Sequence, residues 1–80
     1  MGVLLKDLQK EQSSRVVGVR DTSSVFLQYL AQLSVGIGTN IQVLEILEFD
    51  GSMSVKIDNA SPIIISAKIA ENIYVEKVAS

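Results

Sequence analysis

Between Val25 and Val43 the apolar residues change their period, and this switch constrains the fold more than any other feature. Phe26, Leu27, Leu30, Ala31 and Leu33 fall on one helical face, with Gln28 and Gln32 opposite. Gly36 and Gly38 interrupt that pattern, which predicts a left-handed cap and a tight turn. Ile41 and Val43 then alternate as the inward positions of a strand. Asp21-Thr22-Ser23-Ser24 supplies N-cap residues just ahead of the helix, with no Glu or Gln three positions on to close a capping box.

The rest of the chain reads as short strands and bends. Val3–Leu8 is a turn of helix or a short arm, and Lys10–Ser14 is a polar loop. Arg15–Arg20 is a β-branched strand in which Gly18 marks a bend or a close backbone approach. A strand runs from Asn40 to Glu48, but Leu44, Ile46 and Leu47 break its alternation, so a bulge or sharp bend is expected there. Asp50-Gly51 predicts a hairpin into the strand Met53–Ile57, and Asp58-Asn59 a second turn. Ile63–Ile65 is entered through Pro62, Ser66 caps a short helix through Asn72 that buries Ile69 and Ala70, and Tyr74-Val75 closes the series. The tail after Lys77 is expected to fray. No connection reads as the long crossover of a parallel sheet. The expected fold is mainly β: one domain over residues 1–80, a small barrel of about five strands. One helix follows the first strand and a short helix precedes the last.

Composition narrows the function. Apolar residues make up 48% of the chain and aromatics only 5%, so the core must be aliphatic. Seven basic and nine acidic residues give a net charge of −2. Lys6, Lys10, Arg15, Arg20, Lys56, Lys68 and Lys77 are scattered among acids, which argues against direct DNA or RNA binding. No apolar run approaches the ~20 residues of a membrane span. The chain has no cysteine and no histidine, so thiolate chemistry, Ser–His and Cys–His nucleophiles and the commonest transition-metal ligand are all absent. A small uncrosslinked domain of this kind leans cytoplasmic.

The remaining candidates have ordinary explanations. Gly36-x-Gly38 lacks the third glycine of a dinucleotide fingerprint and follows a helix instead of opening one, so a helix stop accounts for it. Glu45, Glu48, Asp50 and Asp58 form an acidic cluster near one hairpin, suited to a hard cation or an acid–base pair, but solvated edges and turn roles explain them better. Ser13-Ser14 and Ser23-Ser24 lack a base and read as loop and cap residues. Tyr29 on the helix and Phe49 at the hairpin are the candidate partner-binding anchors, with rim packing as the alternative. No catalytic, cofactor-binding or metal-ligating residue is expected.

The stretch Phe26-Leu27-Gln28-Tyr29-Leu30, continuing through Leu33, Val35, Ile37-Gly38-Thr39, Ile41 and Val43, resembles FeoA-like domains, which are SH3-like barrels. Phe49-Asp50-Gly51-Ser52 and the run from Ile65-Ser66 to Ile73-Tyr74-Val75 fit the same pattern, so the resemblance spans about Leu5 to Glu76. Such domains occur as free-standing FeoA proteins, accessories of the FeoB ferrous-iron transporter, and as C-terminal domains of DtxR-type metal-dependent repressors. The Phe26–Leu30 helix and the Phe49–Ser52 hairpin are more similar to the repressor version, whereas free-standing members often carry arginine in the helix and Leu-Arg at Ile65-Ser66. The resemblance therefore implies a non-catalytic domain contacting other domains of a repressor, or its proline-rich linker. It further implies that the parent is a homodimer responding to iron or manganese. Some members donate a carboxylate and an amide near the helix start to an ancillary metal site. Ser23 and Phe26 hold those places here, and neither suits the role; Gln28 or Asp21 would substitute only with a register shift.

Overall fold

Short β-branched segments separated by turn residues can bury their apolar faces only by folding onto one another, and the chain does this with a single antiparallel sheet. The computed structural model describes residues 2–78. In chain order it contains β1 (Val3–Leu4), a 3₁₀ turn (Leu5–Asp7), β2 (Ser13–Val19), α1 (Ser24–Gln32), β3 (Asn40–Leu47), β4 (Ser52–Ile57), β5 (Ile63–Ile65), α2 (Ala67–Ala70) and β6 (Ile73–Val78). The strands lie in the order β1-β6-β2-β3-β4-β5. Every pairing is antiparallel.

Two register shifts bend this sheet into a small SH3-like barrel. One falls between Val16 and Gly18 where β2 meets β6, the other between Val43 and Glu45 where β3 meets β4. Each inserts a residue opposite none, which kinks the strand and strengthens its twist. The second is the phase break legible at Leu44. At Gly18 the bend is the correct alternative: a Cβ there would meet nothing within 4 Å, so no close approach requires glycine.

The core is aliphatic, as composition requires. Leu5, Leu8, Val16, Ile41, Val43, Met53, Val55, Ile65, Ile73 and Val75 fill the barrel, and Phe26 is its only buried aromatic residue. Alternation along β4 puts Met53, Val55 and Ile57 inward while Ser54 and Lys56 face out.

Several expected boundaries differ. Val3–Leu8 is both alternatives at once: a two-residue strand on β6, then a 3₁₀ turn that buries Leu5 and Leu8. The sheet therefore has six strands. The expected loop at Ser13-Ser14 is strand. Ser14 is buried because its hydroxyl donates to the Ile41 carbonyl at 2.9 Å, which removes the cost of an unpaired polar group. The last strand is six residues long and central, between β1 and β2. The helix before it ends at Ala70, with Asn72 N–H closing onto the Ile69 carbonyl. The expected fraying beyond Lys77 concerns Ala79 and Ser80, which lie outside the described residues; Val78 is strand.

Candidate interaction surface

Helix α1 organises the surface. Ser23 Oγ accepts the Phe26 N–H at 3.3 Å, and Asp21 Oδ1 accepts the Ser23 N–H at 2.8 Å, so two cap residues fix the helix start. The end is a Schellman motif: Ser34 N–H donates to the Ala31 carbonyl and Val35 N–H to the Leu30 carbonyl. The left-handed residue is Ser34, with φ 61°, and not a glycine as the sequence suggests. Gly38 takes its positive φ one turn later, in the connection to β3.

Nine residues make a helix that is marginal on its own. Only Phe26 and Leu30 are fully buried, each contributing about 1.5–3 kcal/mol of apolar burial. This stripe is narrower than the five-residue face read from the sequence. Leu27 and Ala31 lie on its exposed flank, and α1 rests on the barrel as a lid with grooves along both sides.

Between α1 and β2 runs an apolar groove of about 210 Å³, lined among others by Val16, Val19, Leu27, Leu30, Val35 and Ile37. Ile37 is 73% exposed. On the other flank Val25, Phe26 and Tyr29 face Lys68, Ile69 and Asn72 of the α2 region across a groove of about 310 Å³. Tyr29 sits in this second groove. Phe49 does not join it: it is wholly exposed at the tip of the β3–β4 hairpin. The two aromatic anchors read from the sequence thus belong to separate features. Val25, Leu27 and Ile37 are surface apolar residues beside α1 that sequence reading missed. Ile37 carried a signal, an aliphatic residue isolated between two turn glycines.

The hairpin is built tightly. Asp50 Oδ1 accepts both the Ser52 N–H at 2.9 Å and the Ser52 hydroxyl at 2.7 Å. The Ser52 hydroxyl, and then its N–H, hold the Asp50 carboxyl below the ordinary carboxylate range. Gly51 adopts φ 77°. A Cβ on it would lie 3.2 Å from the Ala67 Cβ, so the tip packs against the start of α2.

The acidic cluster read from the sequence is dispersed. Asp50 lies in the turn after β3, whereas Asp58 lies at the far end of the hairpin, where its Oδ1 accepts the Asn40 N–H at 2.9 Å. Six residues of β4 put these ends roughly 20 Å apart. Glu45 pairs with Lys10 at 3.4 Å. Among the described residues no three His, Cys, Asp or Glu side chains converge on a point where a metal ion would sit. The ancillary metal site of some FeoA-like domains does not fit either. Ser23 is engaged as the helix cap, Phe26 is buried in the core, and Asp21 already holds the Ser23 amide.

Among the described residues no helix is long and apolar enough to cross a membrane. No curated protein matches the sequence. Solved structures do. A manganese-dependent transcriptional repressor is similar at TM-score 0.87 and 25% identity over 96% of this chain. A manganese-dependent transcriptional repressor in complex with manganese gives TM-score 0.88 and 23% identity, also over 96% of this chain. The chain spans 42% and 37% of those two proteins, about two fifths of their length. An iron uptake regulatory protein, FeoA, is similar at TM-score 0.83 and 23% identity, over 98% of this chain and 99% of that one. The FeoA domain profile matches residues 3–77, which takes in every strand from β1 to β5, both helices and nearly all of β6. By that match, and by the bent six-stranded barrel beneath a capped lid helix, the chain belongs to the FeoA domain family.

Proposed function

We propose that this chain is a non-catalytic interaction domain of a metal-dependent transcriptional repressor of iron or manganese homeostasis in the cytoplasm. The observation that carries this reading is the likeness to a manganese-dependent transcriptional repressor at TM-score 0.87 and 25% identity. The surface supports it: apolar side chains flank α1 on both sides, and the domain's cations are scattered instead of forming a face for nucleic acid. The domain's partners are the other domains of the same regulator or its proline-rich linker, and the parent is a homodimer. Docking against the grooves beside α1 favours one of two states of the regulator. Coupling of this kind is typically about 1–3 kcal/mol. The metal belongs to the other domains.

The test is operator binding by the full-length gene product, titrated with manganese or ferrous iron. Leu27→Glu or Ile37→Glu, each placing a charge in the α1–β2 groove, shifts the metal concentration for half-maximal binding by roughly 5–150-fold. An unchanged titration, also on deleting the domain, refutes the reading.

A second reading is a free-standing accessory of a ferrous-iron transporter. It is favoured by the match to 99% of the length of an iron uptake regulatory protein, FeoA. The native reading frame separates the two: a helix-turn-helix encoded upstream of Val3 favours the repressor, an adjacent large transporter gene the accessory.

A further inference from the structure

Away from α1, one cleft combines a half-buried cation with polar side chains that have no partner. Ser13, Gln42 and Lys56 are successive cross-strand neighbours on β2, β3 and β4. Their core-side neighbours Ser14, Ile41, Val43, Val55 and Ile57 are buried, so these three lie on the outer face. Directly opposed residues of this kind have Cβ atoms about 4.5–5.5 Å apart, so the row is close-set. Together with Asn40 and Asn59 from the two ends of the hairpin's base, and Val78 of β6, they line a cleft of about 240 Å³.

Three ion pairs exist among the described residues, and Lys56 is in none of them. Asp58, two residues along the chain, turns Oδ1 to the Asn40 backbone N–H and forms no ion pair with Lys56. No side-chain hydrogen bond among the described residues uses the Ser13 hydroxyl or the amides of Gln42, Asn40 and Asn59. The cleft therefore offers one ammonium outside any ion pair, beside Asp58, and a ring of neutral side chains able to donate.

We propose that this cleft binds a single carboxylate group, with Lys56 Nζ as the charged donor and Gln42, Asn59 and Ser13 as neutral donors. Charge-assisted hydrogen bonds from an ammonium are about twice as strong as neutral ones, so Lys56 dominates. One ammonium balances one carboxylate. A phosphate dianion would leave a negative charge uncompensated beside Asp58. The exposed Val78 side chain, at one edge of the lining, accommodates the carbon atoms that follow the carboxylate. The group comes from a free small acid or from a glutamate or aspartate of an acidic peptide. The inference is independent of the reading given under Proposed function, because it concerns a different face.

The test is an amide chemical-shift titration of the whole chain at fixed ionic strength with sodium acetate, sodium phosphate and sodium chloride. Acetyl-Gly-Glu-Gly-amide and its glutamine counterpart are titrated in parallel. Acetate, with four heavy atoms, cannot bind more tightly than a dissociation constant of roughly tens of micromolar. Saturable shifts at Ser13, Gln42, Lys56 and Asn59 are expected, about tenfold weaker with Lys56→Gln and weaker again with Gln42→Leu. Tighter binding of the glutamate peptide than of acetate identifies a protein partner as the source, and equal binding a free acid. Shifts that do not saturate, that chloride reproduces, that phosphate drives at lower concentration, or that survive Lys56→Gln in a folded variant all overturn the proposal.

Discussion

Replacing Gly51 by alanine tests how the β3–β4 hairpin is held against α2. Two penalties act in the folded state. The backbone at φ 77° costs a residue with a Cβ about 1–2 kcal/mol. The new methyl group also meets the Ala67 Cβ at 3.2 Å, which forces the start of α2 to yield at a cost of about 1 kcal/mol. Against these, alanine has less freedom than glycine in the unfolded chain, which returns about 0.4–1 kcal/mol. The net expectation is a loss of about 1–2.6 kcal/mol, a large share of the stability of a domain this small. Urea unfolding followed by circular dichroism measures it. With a slope near 1 kcal/mol/M, the midpoint falls by about 1–2.6 M while the slope is unchanged. Ala67→Gly removes the contact but itself costs about 0.5–1 kcal/mol at the helix start, so the contact is read from the cycle: Gly51→Ala costs less in the Ala67→Gly background than in the parent, yet still carries the backbone penalty. A Gly51→Ala protein within about 0.3 kcal/mol of the parent refutes the reasoning, and so does a Gly51→Ala change that costs nothing in the Ala67→Gly background.

Three further outcomes are expected. Asp50 has its carboxyl held below the ordinary range in the folded protein, so its contribution is fully present above the unfolded carboxylate value and is lost as pH falls through the folded value. Urea midpoints collected from neutral pH down through the carboxylate range therefore decline less steeply for Asp50→Asn than for the parent; identical slopes contradict the Ser52 hydrogen bonds. Ser34→Gly relieves a side chain from φ 61° and raises stability by up to about 1 kcal/mol, which thermal unfolding reads as a Tm increase of about 4–8 °C. Phe49→Ser leaves unfolding free energy within about 0.5 kcal/mol, because the ring touches nothing, whereas Phe26→Ala costs about 3–5 kcal/mol; comparable losses in the two variants would show that Phe49 packs.

Local chemistry carried much of the fold into the sequence. The bend after Val43 was legible because a strand cannot bury two adjacent side chains on one face without a bulge, and Leu44 breaks the alternation. Asp50-Gly51 and the Ser23 and Ser66 caps were legible because each satisfies backbone groups within three residues of itself, and Asp58-Asn59 because both residues tolerate the positive φ of a turn that Ala60 N–H closes onto the Ile57 carbonyl. Ser14 was not, since its hydroxyl is paired with a carbonyl 27 residues away. The Ser34 cap escaped for a related reason: glycine was the cheaper local choice, and burial of Val35 against the core fixes the turn one residue earlier.

The candidate surfaces divide in the same way. The aliphatic period, the turn residues and the missing histidine and cysteine are properties of the chain, and they determined a small bent β domain with one lid helix and the family resemblance that follows. Which side of that helix meets the barrel is different. Phe26 and Leu30 are buried while Leu27 and Ile37 remain exposed because the gap between β2 and the α2 region admits only one narrow stripe. The dispersal of Asp50 from Asp58, and the alignment of Ser13, Gln42 and Lys56 across three strands, arise from strand register. Register is set by the summed packing of residues far apart in the chain, so only the tertiary structure decided it.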